Sequence, residues 1–449
     1  MKNENRAVCP REHFTVFPAI VWLALGLGPY GAATAANLSP AEARVVAAAA
    51  AQDAYALQLT ERLVDVNSGT MNFAGVEQVG QMMRAELEPL GFSVRWVPMS
   101  AAHRAGHLIA EHKGTGGGKR MLLIGHLDTV FEKDSPFQTM VRRGELIEGP
   151  GVCDMKGGLA IMIGALRAMK TAGTLGPARI LIVLSGDEEW PGTPQSISRA
   201  DLLQAADHAD LALEFEALAR EDGHDMGSIA RRSASDWTIT VKAKSGHSSQ
   251  VFSDSAGYGA AYELARILDA FRREVREDNA TFNVGLGLTG AAAELTPDES
   301  GGSATGKSNV IAAEAFAHGD LRTLSNDQTE RIRQKMQSIV AQHLAGTEGQ
   351  ITFKEGYPAM APTAGSRALL KVLNNVNLDL GLEAMGELDP MKRGAGDIAF
   401  VAPKLDGLIG MGAAGSGAHA PGETADPKSF DRQIKRAALL MTRLSHSGA

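Results

Sequence analysis

Three short apolar runs, at residues 121–124, 179–184 and 210–215, end at ionisable side chains and are separated by helical patterns. Runs this short and unalternating read as strands buried on both faces, and strands joined through helices lie parallel. The chain is therefore expected to be an α/β protein with a mostly parallel sheet and helices on both faces. In an open parallel sheet, the residues at the carboxyl ends of the strands meet in one crevice. The ionisable residues that follow the runs are thus predicted to share a site. A helix is expected at 157–172. Nearer the start, Ser39, Pro40 and Glu42 read as a capping box with proline in the first turn. The alanine-rich run behind them predicts one long helix reaching about Val66.

Past Ser228 the pattern changes. Residues 237–241 alternate like a half-buried strand, 256–273 read as a helix, 281–288 and 309–321 as strands, 325–344 as a helix and 350–354 as a strand. That order, βαββαβ, is a ferredoxin-like unit, and its place between two α/β segments makes it an insertion. The expected division is a leader at 1–36, catalytic segments at 37–229 and 356–449, and the inserted unit at 230–355. The glycine-rich stretches 114–118, 301–306 and 410–417 are expected to be loops, and none has the strand-then-helix setting of a phosphate-binding loop.

The leader has the layout of a secretory signal. Lys2, Arg6 and Arg11 precede an apolar stretch at 14–30, and Ala33-Thr34-Ala35 offers a small-residue cleavage site. The expectation is export, to the periplasm or beyond, with no stable membrane association once the signal is cleaved; an uncleaved anchor is the alternative. Cys9 would leave with it, so Cys153 alone would remain and any metal must be held by histidines and carboxylates. A formal net charge of -8 argues against nucleic acid as a partner.

Five segments carry the candidate chemistry. His126 and Asp128 follow the first run two residues apart, which puts both on one side of an extended backbone. Asp128 is then placed to fix the imidazole tautomer, as a carboxylate behind a metal-bound histidine does. Asp154 stands at a loop-to-helix junction, Glu188 and Glu189 end the second run, Glu216 follows the third, and His419 lies in a glycine-rich loop. Singly, each has a plain structural reading: a strand-end polar pair, a helix cap, a solvated acidic turn. Adjacent carboxylates at the end of a buried strand are nevertheless unfavourable unless solvated or neutralised by a cation. Two histidines and three carboxylates suit Zn2+, with Co2+ or Mn2+ as substitutes, and one bridging carboxylate lets five residues hold two ions.

In this order, GHLDTV (125–130), GPGVCDMKGG (149–158), SGDEE (185–189), EFE (214–216) and GAHA (417–420) resemble the motifs of the zinc-dependent aminoacylase and carboxypeptidase G metallopeptidase family. The resemblance runs over nearly the whole chain after the leader. It implies an aminopeptidase-like catalytic domain and an inserted lid through which subunits form homodimers. It implies that His126 and Glu216 hold one zinc, Glu189 and His419 the other, that Asp154 bridges them and that Asp128 orients His126. Glu188 would be the general base, and the peptide after Asp154 would be cis. Glu214 competes with Glu216 on sequence alone; the family's aromatic-then-Glu pattern favours Glu216. His247, in KSGHSS (244–249), would stabilise the oxyanion, often from the partner subunit. Asn309 and Arg322 would bind a substrate carboxylate. Gly396 would belong to the substrate loop, although GAGD (394–397) lacks the threonine of the family's G-G-T-D.

The function so implied is amide hydrolysis, foremost a carboxypeptidase releasing a C-terminal residue such as Glu from peptides or N-acyl amino acids. An N-acyl-amino-acid deacylase or dipeptidase with the same centre is the runner-up, and a non-catalytic zinc-binding protein is the reading from another class. Of the remaining polar residues, His103, His107 and His112 are expected to be ordinary histidines, Cys153 a small core residue, and Trp190 either pocket wall or packing.

Overall fold

The computed structural model describes residues 37–446, so the leader, its cleavage site and Cys9 lie outside the described residues. A central six-stranded sheet runs in the order Ser93–Pro98, Gly106–Lys113, Arg179–Ser185, Arg120–His126, Leu211–Glu214, Gly407–Ile409. The last four strands pair in parallel and the first two are antiparallel additions at one edge. The apolar runs are unalternating because both faces are covered. Met121 and Leu123 point into one core with Ile180, Ile182, Leu211 and Leu213. Leu122, Ile124, Val183 and Ala212 point into a second core on the opposite face. Among the described residues no helix is long and apolar enough to cross a membrane.

Register sets the site. His126 pairs with Ser185 and Ile124 with Glu214, so the three parallel strands stop at one rim. Helix Lys156–Ala172 starts at that rim and packs so closely that a Cβ on Gly158 would fall on the Phe215 carbonyl oxygen. Asp154, just before this helix, and Glu216, just after the strand, flank the approach.

The front of the chain departs from expectation. The capping box forms, with the Ser39 N–H donating to Glu42 Oε2 at 2.7 Å. The single long helix does not: Pro40–Ala50 and Asp53–Val64 are separate helices, both against Lys156–Ala172. Helix propensity favours continuity, and packing of two faces on one partner overrides it. Gln52 at the break accepts a hydrogen bond from Arg167 at 2.9 Å.

The second sheet is antiparallel, in the order Thr281–Phe282, Glu314–Arg322, Ala234–Ala243, Thr347–Tyr357, with Leu286–Gly290 also on Glu314–Arg322. Helices Ala260–Glu274 and Asn326–Val340 cover one face, around a fully buried Trp237 packed edge-on to Phe271. Three local expectations are corrected. The strand expected at 281–288 is interrupted. Residues 301–306 are not merely a loop, because Gly302–Thr305 pairs with Ala292–Leu295 as an added hairpin. Asn309 lies in a turn, and its strand begins only at Glu314. Two crossings join the sheets, where Arg231 and Met360 exchange backbone hydrogen bonds at 3.0 and 2.9 Å.

Candidate metal centre

His126 ends its strand fully buried, with its two ring nitrogens committed in opposite directions. Nδ1 lies 3.0 Å from the main-chain oxygen of Asp128 and 3.4 Å from its carboxylate. Nε2 lies 3.1 Å from Asp154 Oδ1. Asp128 accepts from the Thr70 hydroxyl at 2.6 Å and from the N–H groups of Glu188 and Glu189 at 3.1 Å each. Burial by itself would raise the Asp128 carboxyl, but His126, Thr70 and the Glu189 N–H outweigh it and hold the carboxyl below its ordinary range.

Asp154 faces two histidines at once. Its Oδ2 is 3.1 Å from His419 Nε2, which is also 3.1 Å from Glu189 Oε2. Donor atoms of His126, Asp154 and Glu189 lie within 4.8 Å of one another, as do those of His126, Glu188 and Glu216. Ligand atoms around one tetrahedral zinc lie about 3.3 Å apart, so these contacts are of the right size for a metal site. The structure thus brings together His126, Asp128, Asp154, Glu188, Glu189, Glu216 and His419. The Asp154–Met155 peptide is cis, as the resemblance implied. Glu214, the rival of Glu216, is turned away: it is buried, accepts from the Ile398 N–H at 2.9 Å and pairs with Arg231 at 2.8 Å.

The donor set holds a surplus of buried negative charge. Burial, with Glu216, Glu189 and Asp397 nearby, pushes the Glu188 carboxyl well above its usual range despite His126. Burial and Asp154 push Glu189 up to about 7, and burial pushes Glu214 up to about 7. Hydrogen bonds to Asp154 and Glu189 raise His419 to about 11. A cluster that takes up protons to relieve its own repulsion fits divalent cations, which relieve it more fully.

Several residues around this centre escaped the sequence reading. Glu423 accepts from the N–H groups of Gly151, Cys153 and Asp154 at 3.0, 2.8 and 2.9 Å, pinning the Asp154 loop. Behind Glu188, Tyr357 donates to its carbonyl at 2.5 Å and in turn accepts from the buried Arg199, which also pairs with Asp187 and Asp397. Arg231 and Arg393 both reach Glu216. Nothing in their local sequence marks them, because the partners are far along the chain.

The expected substrate residues are spread out. His247 is exposed on the second domain, with Nδ1 2.9 Å from the Ser249 hydroxyl, and is bridged to Val310 beside Asn309. Arg322 lies at the opposite end of Glu314–Arg322, its Nε 3.0 Å from Asp320. That separation is roughly 25 Å at the rise of an extended strand. Among the described residues, no hydrogen bond or ion pair joins His247, Asn309 or Arg322 to the metal-centre side chains. Gly396 is buried with its open side against the Arg231 guanidinium. His107 and His112 spend ring nitrogens on the Ser198 and Ala178 carbonyls, each at 2.7 Å. Cys153 is buried and its thiol pushed well up by burial, which removes it as a nucleophile. Trp190 stays 59% exposed, with Arg104 over its ring.

Residues 122–444 match Peptidase family M20/M25/M40. The chain belongs to this family. It is accordingly a metal-dependent hydrolase of the peptidase M20 class, with the mixed α/β fold of that group. Carboxypeptidase G2 of Pseudomonas sp. (strain RS-16) is 26% identical over 398 residues, 86% of this chain and 89% of the relative. A succinyl-diaminopimelate desuccinylase of Novosphingobium aromaticivorans is 35% identical over 197 residues, 42% of this chain and 50% of the relative. Among solved structures, a Staphylococcus aureus tripeptidase superposes with a TM-score of 0.65 at 17% identity, covering 88% of this chain and 98% of its own. A Bacillus subtilis M20 family protein, described as a dinuclear metal binding peptidase, superposes with a TM-score of 0.60 at 16% identity, with the same two coverages.

Proposed function

We propose that this M20 family hydrolase cleaves amide bonds as a carboxypeptidase, releasing a C-terminal residue such as Glu from peptides or N-acyl amino acids. The observation that carries the reading is Asp154, whose two oxygens each lie 3.1 Å from a different histidine. A carboxylate so placed could be shared between two metal positions. His126 and Glu216 would hold one ion and Glu189 and His419 the other, with zinc the ion best suited to this mixed set and Co2+ or Mn2+ as substitutes. Bound there, the ions would supply a water of lowered pKa and polarise the scissile carbonyl.

The protein's own part follows from placement. Asp128 holds the His126 ring through Nδ1 and so turns Nε2 toward Asp154, where an ion would bind. Glu188 is not needed in either ligand pair and stands beside both, so its carboxylate can take a proton from the nucleophile and return it to the leaving nitrogen. His247 and Arg322 stand at opposite ends of one lid strand, so they cannot both reach one small substrate from the same chain. A homodimer through the lid, in which His247 serves the partner's site, resolves this. The leader supports export of the enzyme.

The alignment to carboxypeptidase G2 along most of both chains favours carboxypeptidase activity. The desuccinylase match favours a second reading, N-acyl-amino-acid deacylation, through the same centre. A panel of dipeptides, N-acyl glutamates and N-succinyl amino acids separates the two. Turnover should vanish in EDTA and return with Zn2+. Activity that survives complete metal removal would sink the metal-centre reading.

A further inference from the structure

Arg231 occupies the first crossing between the two sheets, with a side chain only 3% exposed. Its Nη2 lies 2.8 Å from Glu214 Oε2 and also meets Glu216 Oε2, while Nη1 donates to the Ala395 carbonyl. Arg393 Nη2 approaches the same Glu216 oxygen at 3.5 Å. Both guanidinium groups therefore make their ion-pair contacts at Oε2, and among the described residues no ion pair is made at Glu216 Oε1. Glu216 stands beyond the last residue of its strand, where the sheet no longer fixes the side chain. The space is also arranged for Arg231: any side chain at Gly396 would collide with the guanidinium, including the threonine the family resemblance leads one to expect there.

Resting on the metal-centre reading above, we propose that Arg231 is a positioning residue that makes Glu216 a one-oxygen ligand, holding Oε2 and leaving Oε1 for the ion shared with His126. A positive charge beside a cation site also repels the cation. Here that repulsion is offset, because the same guanidinium nitrogen is paired with Glu214, and the effect left on Glu216 is orientation. Groups that hydrogen-bond a ligating carboxylate commonly change metal affinity 10–100-fold when removed, roughly the scale expected here.

The test is a Zn2+ titration of EDTA-stripped full-length protein against a chromophoric chelator, with metal content counted by mass spectrometry. Wild type should bind two ions tightly. Arg231→Met should keep one and bind the other about 10–100-fold more weakly, with Arg231→Lys between the two. The visible spectrum of the Co2+-loaded protein should change in Arg231→Met, which loss of a merely structural contact would not cause. If Arg231→Met fails to fold by circular dichroism, Gly396→Ala carries the test, since it crowds the guanidinium and removes no charge; the same selective weakening is expected. Two ions held at wild-type strength, or more tightly, in the folded variants would overturn the proposal. Wild-type protein that binds no metal would instead overturn the reading of the centre itself.

Discussion

Glu188 and Glu189 are neighbours in sequence with different surroundings, and their variants should separate. Glu189 lies against His419 and Asp154, whereas Glu188 sits with His126 and Glu216. Replacing Glu188 by Gln should lower kcat by about 10²–10⁴-fold, the usual contribution of a general acid or base, while the bound metal stays at the wild-type level. Metal content and turnover measured on one preparation check this; metal loss would make Glu188 a ligand. Asp128→Ala should leave the ring of His126 without its carboxylate and weaken metal binding about 10–100-fold, read by chelator competition.

Among the elements, the decisive contact is between the start of helix Lys156–Ala172 and the end of strand Leu211–Glu214. Gly158 permits it by having no side chain to meet the Phe215 carbonyl. Gly158→Val should force the helix outward, at about 1–3 kcal/mol of stability in urea unfolding, and should weaken metal binding because Asp154 and Glu216 flank the contact. A variant as stable as wild type that binds metal normally would show that the close approach is unnecessary. The lid strand Thr347–Tyr357 makes a second connection, since its last residue donates to the Glu188 carbonyl. The inserted unit is thus tied directly to the main chain of Glu188.

For the molecule as a whole, the surplus of buried charge predicts how stability depends on pH. Glu189, Glu214 and Glu423 each have folded pKa values raised to about 7, chiefly by burial, and His419 is raised to about 11 by its carboxylate neighbours. The three carboxyls bind protons more tightly folded than unfolded, so the metal-free protein loses stability as pH rises from about 5 to 7, and His419, raised from a higher starting value, extends the loss above pH 7. Above that, Lys156, lowered by burial to about 7, works in the opposite sense. Thermal melts in EDTA should fall across pH 5 to 7, and saturating Zn2+ should flatten the trend. A rise over that window would contradict it. The proposed dimer has its own test. Glu188→Gln and His247→Ala chains, each inactive alone, should regain activity after subunit exchange, because a mixed dimer holds one site with both groups. No recovery, or a monomer in sedimentation, would overturn the shared site and require His247 to act within its own chain or not at all.

The sequence alone determined the parallel sheet and the inserted unit, and marked the candidate metal-centre residues. Buried strands need continuous apolar runs, and strand ends must place their polar residues at one rim, so both patterns are written locally. His126, Glu188 and Glu189 could be picked out on that basis, whereas Asp154 and His419 stand in loops and were marked by the resemblance, which also favoured Glu216 over Glu214. Tertiary structure settled what depends on partners distant in the chain. It divided the N-terminal helix to suit Lys156–Ala172, paired 302–305 into a hairpin, and committed Glu214 to Arg231 and Ile398. It also supplied Glu423, Arg231 and Arg393, whose roles come from carboxylates or amides far away in sequence. A local pattern can show that a charge is expensive to bury, but only the folded chain shows which opposite charge or N–H group meets it.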